Sequence, residues 1–401
     1  MKEIRKLYLF TFFRSLTFFA SISIAFYHEN NLSYFQIMLL QSVYGILTAI
    51  LEIPSGMLSD IWGRKKTLIL GTVAFALAYF GGAVGTSMLP FVLMQILAAV
   101  GQSCYSGTFV ALMFEDVNSD DSITQSVNVI FANMQAINIG AVLLASLSSV
   151  FIVKYSSMRI TYLFTVLAYI LTLILGISLC ETQKEKEKVK TNPFKEYGQL
   201  LKNSILYMKD YKIGLIVMDL VIFACFSNTF TYIQQPILLN AGLETSKFGY
   251  VTFIITICTV ASLKTVQLIE KKIKNVNRFL CLLTMLVIVS LFSNALHVSP
   301  VWSAISFAIM TIAVRYREIF LMNALNTYIS DDSRATVMSI VSAIEMIGLA
   351  VLSAVIGLVE DVSIEYAVAA LCIIVVIFYL IFGFMKFVCK KKYVQKVSIL
   401  K

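Results

Sequence analysis

The stretch Gly56-Met57-Leu58-Ser59-Asp60-Ile61-Trp62-Gly63-Arg64-Lys65-Lys66 sets one acid and three bases between two long apolar runs. Residues 34–55 before it and 67–85 after it are each long enough to cross a bilayer core, which takes about 20 apolar residues. The stretch therefore reads as a short turn where the chain leaves the membrane and re-enters it. Gly56 and Gly63 suit a tight turn and a close helix approach that a side chain would block.

The composition places the rest of the chain in the same setting. Of 401 residues, 59% are hydrophobic and only 14% charged, against roughly a quarter charged in ordinary globular chains. The mean hydropathy is +0.83. The net charge of +9 does not read as a nucleic-acid surface, because the basic residues are distributed between apolar runs rather than on one solvated face. The seven cysteines form no Cys-x-x-Cys pair, so buried free thiols are expected. The apolar stretch behind Met1 runs to Tyr27 without a small-residue cleavage site, which predicts a retained first helix.

Spanning runs fall at 5–27, 34–57, 66–85, 89–113, 123–152, 159–180, 210–236, 246–268, 277–297, 300–325, 334–359 and 364–389. The expected fold is all-α and integral to the membrane, with twelve transmembrane helices in two pseudo-symmetric six-helix bundles. The expected boundaries are an N-terminal bundle at 1–180, a Lys-rich linker with Pro193 at 181–209, a C-terminal bundle at 210–389 and a tail at 390–401. Placing the N-terminus inside puts 25 Lys and Arg on that side and leaves only Lys154, Arg159 and Lys247 outside. That asymmetry predicts cytoplasmic termini and linker. Ser119-Asp120-Asp121-Ser122 enters the fifth span and Ser330-Asp331-Asp332-Ser333 the eleventh, 211 residues later. The two sit at equal places in a six-span count and read as remnants of a duplication, although Ser and Asp are also common helix caps. Parallel halves imply a carrier with its site near mid-membrane.

Ionisable residues inside spans are costly and face the bundle interior. At about 1.5 Å per residue, Arg14, Asp219, Arg315 and Glu345 lie at similar depth, roughly 13–18 Å from the inner end. Asp219 pairing with Arg315 or Arg14 would avoid an isolated charge, and protonation of Asp219 or Glu345 could break such a pair. A purely structural ion pair is the competing reading, and Arg317 with Glu318 reads as a local satisfied set. Gln95, Gln102 and Asn228 are candidate cavity contacts, equally suited to helix-to-helix hydrogen bonds. His28 and His297 stand far apart, so no metal site is expected. The sequence has no phosphate-binding loop, nucleophile elbow or His-Glu-x-x-His pattern, so neither an enzyme nor a cofactor is expected.

The hairpin resembles the loop signature of the major facilitator superfamily, with Gly56, Asp60, Gly63, Arg64 and Lys65 on its signature positions. The two-times-six plan resembles that family over the whole chain. Glu52-Ile53-Pro54-Ser55 and Arg334-Ala335-Thr336-Val337 are similar to a bacterial branch rich in multidrug-efflux-like members. The resemblance implies a gating latch between Asp60 and the Ser333–Arg334 region, and a cavity lined by the first, fourth, seventh and tenth spans, where Arg14, Asp219 and Arg315 could meet. Two features depart from its proton-coupled drug exporters. Leu97 stands four residues before Gly101 where an Arg is usual, and Asn138-Ile139-Gly140-Ala141-Val142 lacks the usual proline. Three readings follow: proton-coupled efflux of an amphipathic or cationic compound, import of a small anionic solute, or a non-transporting sensor or scaffold. Under the first two, the partners are a small-molecule substrate, coupling protons and the lipid bilayer. A monomer in a bacterial cytoplasmic membrane is expected.

Overall fold

Ser33 starts the second span through a reciprocal cap. Its hydroxyl accepts from the Gln36 backbone N–H at 3.3 Å, while Gln36 Oε1 accepts from the Ser33 N–H at 3.0 Å. The computed structural model describes residues 2–119, 127–179, 210–296, 299–329 and 331–399. The expected linker at 181–209 and most of Ser119–Ser122 lie outside the described residues.

Thirteen α-helices occur among the described residues: α1 (Lys2–Arg14), α2 (Ser23–Glu29), α3 (Tyr34–Trp62), α4 (Arg64–Val84), α5 (Met88–Ser119), α6 (Val127–Tyr155), α7 (Met158–Ser178), α8 (Tyr211–Asn240), α9 (Phe248–Glu270), α10 (Val276–Asn294), α11 (Pro300–Asn326), α12 (Asp331–Glu360) and α13 (Ile364–Ile399). Ten of the described helices are long and apolar enough to cross a membrane. The first span departs from the expected single helix. It is broken after Arg14 and resumes at Ser23.

The hairpin is tighter than its sequence suggests. α3 continues through Gly56 and Asp60 to Trp62, Pro54 is carried inside the helix, and the reversal is made at Gly63 alone. Gly63 has φ 101° and ψ 147°, a region that residues with a Cβ avoid. Gly56 makes no close approach, since a Cβ there would meet nothing within 4 Å.

The described chain groups into two compact units. Among the described residues, the first comprises those up to 179 with Gly242–Ile257, and the second 210–241 with those from 258 on. In the first unit α4 crosses α5 at glycines. A Cβ on Gly71 would sit 3.0 Å from the Gly101 carbonyl, and one on Gly101 would lie 2.7 Å from the Phe75 ring. Close approach through small residues is how membrane helices gain packing energy without a hydrophobic driving force. α7 shows the resulting pattern: Leu163, Leu167, Ile170, Ile174 and Ile177 form an exposed stripe, while Thr161, Thr165, Ala168, Thr172 and Gly176 are buried. Arg159 ties the ends of this unit together. It donates to the Ala83 and Gly85 carbonyls, both at 2.8 Å, and to Asn30 Oδ1 at 3.0 Å. It thereby satisfies carbonyls left over at the end of α4. In the second unit, Val217, Leu220, Leu321, Leu325, Val337 and Val341 from α8, α11 and α12 form the core.

Candidate functional site

The break in the first span positions Arg14. Ser15 N–H still reaches the Thr11 and Phe12 carbonyls, at 3.1 and 3.2 Å, but the following residues turn away from the helix. Phe18 N–H donates instead to Thr165 Oγ1 of α7 at 3.1 Å. Irregular backbone at membrane depth is tolerated only where protein or a cavity meets its polar groups, and Thr165 supplies that partner.

Arg14, the last residue of α1, lies flat against an aromatic wall. Its Cζ is 3.3 Å from the centroid of the Tyr105 ring and 5.7 Å from that of Phe75. Tyr105 packs beside Phe10 and Phe109, which also stack on each other. Nη2 donates to Gln102 Oε1 at 3.1 Å, while Nε is buried without a hydrogen-bond partner. None of the ion pairs among the described residues includes Arg14. Gln95, two turns before Gln102 on α5, is buried.

Two acids of the second unit have contrasting surroundings. Asp219 of α8 is fully engaged: both carboxylate oxygens accept from Arg317 Nη2, at 2.6 and 2.8 Å, and Tyr379 OH donates to Oδ1 at 3.0 Å. Arg317 in turn donates from Nη1 to the Leu280 carbonyl and to Thr284 Oγ1, and packs against the rings of Phe223 and Tyr379. Asp219 and Arg317 are 4% and 2% exposed. The partner of Asp219 is thus Arg317 rather than Arg315 or Arg14. Arg315 pairs instead with Glu318 at 2.8 Å on the same helix, both side chains being nearly half exposed. A cavity of about 460 Å³, lined in part by Met285, Ile288 and Val376, opens beside the buried pair.

Glu345 of α12 has no basic partner among the described residues. Asn228 Nδ2 donates to its Oε1 at 2.9 Å, and the charged group that acts on it is another acid, Glu318. Its backbone carbonyl accepts from Cys225 Sγ at 3.2 Å, and Gly348 lies against the same sulfur, which fixes α12 against α8.

The structure therefore joins Arg14 with Gln102 in one unit, and Glu345 with Asn228 in the other. Asp60 is exposed on the last turn of α3, and Arg64 and Lys65 open α4 with partial exposure. Arg334 lies in α12, its side chain outside the described residues, so its pairing with Asp60 is not observed. Sequence reasoning missed the Tyr105 wall, although Gln102 and Tyr105 are three apart and share a helix face. It also missed Glu360 at the end of α12, which is 2% exposed with both carboxylate oxygens unpartnered.

The family model described as Major Facilitator Superfamily matches residues 7–353. An uncharacterized transporter of Buchnera aphidicola subsp. Acyrthosiphon pisum is 22% identical over 326 residues, covering 79% of this chain and 78% of its own length. The solved structure of the nucleoside transporter NupG superposes with a TM-score of 0.79 at 12% identity, covering 96% of this chain and 99% of that one. A D-xylose-proton symporter superposes with a TM-score of 0.65 at 14% identity, covering 94% and 96%. The fold is all-α and integral to the membrane, with twelve transmembrane helices in two pseudo-symmetric six-helix bundles. The chain belongs to the Major Facilitator Superfamily, as a multi-pass membrane transporter.

Proposed function

We propose that the chain is a proton-coupled secondary transporter of a small molecule, working by alternating access, in which Glu345 carries the coupling proton. The observation behind this is the contrast between Asp219 and Glu345. Asp219 is clamped by Arg317 and Tyr379, so protonating it would strand a buried guanidinium. Glu345 is held by a neutral amide and can gain or lose a proton without leaving a cation unpaired. A proton can drive a conformational change only through such a group, whose environment differs between the two states. That a D-xylose-proton symporter shares the fold supports the reading, since this architecture accommodates proton coupling.

In this reading both termini are cytoplasmic, given the 25 to 3 distribution of Lys and Arg, and the membrane is a bacterial cytoplasmic one. The hairpin residues Gly56, Asp60, Gly63, Arg64 and Lys65, with Arg334, form the cytoplasmic latch. The same unpaired acid favours a second reading, efflux of an amphipathic cation that Glu345 binds in competition with the proton.

Both are tested in proteoliposomes with an imposed pH gradient, using a panel of cationic dyes and labelled small anions. Glu345→Gln is expected to abolish gradient-driven accumulation while leaving solute exchange. Gradient-driven transport at the wild-type rate in Glu345→Gln would rule out Glu345 as the proton carrier. Gradient-driven export confined to the dyes selects the second reading.

A further inference from the structure

We propose that Arg14 is an anion-binding subsite: its guanidinium, steadied by Gln102, grips the carboxylate or phosphate group of an organic anion that the protein carries. The inference deepens the transport reading and rests on it, though not on proton coupling.

Three observations converge on it. First, Arg14 keeps its charge inside a span with no carboxylate in contact among the described residues, whereas Arg315 and Arg317 each have one. A guanidinium at that depth is retained where an anion or a hydrated cavity completes it. Second, its flat face is covered by Tyr105 at 3.3 Å, so further partners must approach along the edge, where the N–H groups lie. Gln102 takes one donor there and Nε–H has no acceptor. A fork of planar donors matches carboxylate and phosphate oxygens, which accept two parallel hydrogen bonds. Third, the helix stops at this residue. A span broken at that depth is where carriers place their substrate contacts, and beyond this break the Phe18 N–H is met by the Thr165 hydroxyl of α7 rather than by the helix's own carbonyls. The carbonyl end of α1 and the ring face of Tyr105 offset part of the positive charge. Neither offers an acceptor in the plane of the guanidinium.

The aromatic wall suggests probes that share a phenyl ring and differ in charge: benzoate, phenyl phosphate, benzyl alcohol and benzylamine. Thermal unfolding of the full-length protein in lipid nanodiscs would be followed against each. The expected result is saturable protection by benzoate, by phenyl phosphate or by both, with none from the alcohol or the amine. Protection by benzoate alone identifies a carboxylate site and by phenyl phosphate alone a phosphate site. Arg14→Gln is expected to weaken that protection about tenfold or more. Protection by neither anion overturns the proposal, as does protection unchanged in Arg14→Gln. Should Arg14→Gln fail to fold, Arg14→Lys decides. It keeps the charge without the planar fork, so several-fold weaker protection is expected and unchanged protection overturns the proposal. Anion binding that depends on Arg14, found together with transport indifferent to the pH gradient, would sink the coupling role of Glu345 and leave this subsite standing.

Discussion

Arg317 and Asp219 carry opposite charges at almost complete burial, and each is satisfied several times over. Removing one partner leaves the other charged in a low dielectric, which costs roughly 3–5 kcal/mol. Arg317→Ala and Asp219→Asn should therefore lower the unfolding temperature and the folded yield together. Asp219→Leu with Arg317→Met should recover much of that loss, because an apolar pair of similar volume needs no charge solvation. An Asp219→Asn protein of wild-type stability would contradict this. Tyr379→Phe removes a single hydrogen bond, for a loss of about 1 kcal/mol. The sequence identified Asp219 as a buried acid but not its partner, for a geometric reason. Counting residues along a span gives depth, not azimuth. Arg315 and Arg317 are two residues apart, about 200° around the helix, so Arg317 meets Asp219 of α8 while Arg315 lies on another face with Glu318. Arg14 was legible for the same reason that Tyr105 was not: a charge inside an apolar run stands out, whereas one aromatic residue among many does not.

Among the helices, the glycines separate into those the geometry requires and those it does not. Gly63→Ala would force a side chain into the φ 101° turn between α3 and α4, at a cost of about 1–2 kcal/mol. Gly56→Ala lies inside α3 with open space around it, so it should be neutral or stabilising by up to about 1 kcal/mol. Thermal unfolding of the two variants side by side distinguishes them, and equal losses would refute the assignment of the turn to Gly63. The broken first span offers a second test. Thr165→Val deletes the acceptor of the Phe18 N–H and leaves a buried donor unsatisfied, for about 1–3 kcal/mol. Exchange protection of the Phe18 amide should fall with it; unchanged protection would show that another group holds the turn. The sequence could not reveal this break. Residues 15–22 contain neither proline nor glycine, and Ser15, Thr17 and Ser21 are ordinary within a span. The acceptor that stabilises the turn lies nearly 150 residues away, where no local pattern can signal it.

Span count and charge asymmetry made the two-times-six plan readable, because each bilayer crossing leaves a long apolar run regardless of its neighbours. What they could not give is which distant helices touch. The first half of α9, up to Ile257, belongs with the first compact unit, although it follows the expected linker by some forty residues. The contact is made at Gly249, where an added Cβ would run into the Ser146 carbonyl, Ser149 and Val150 of α6. Ser149 is only 1% exposed. Glycine lets the two backbones meet with no side chain between them. Gly249→Leu should wedge the contact apart. In a background with the native cysteines replaced, Ser149→Cys should resist a membrane-impermeant thiol reagent, and adding Gly249→Leu should raise its labelling several-fold while transport falls. Labelling and transport both unchanged by Gly249→Leu would mean that the contact does not govern access to Ser149. Raised labelling with undiminished transport would mean that α9 and α6 need not close on each other for turnover.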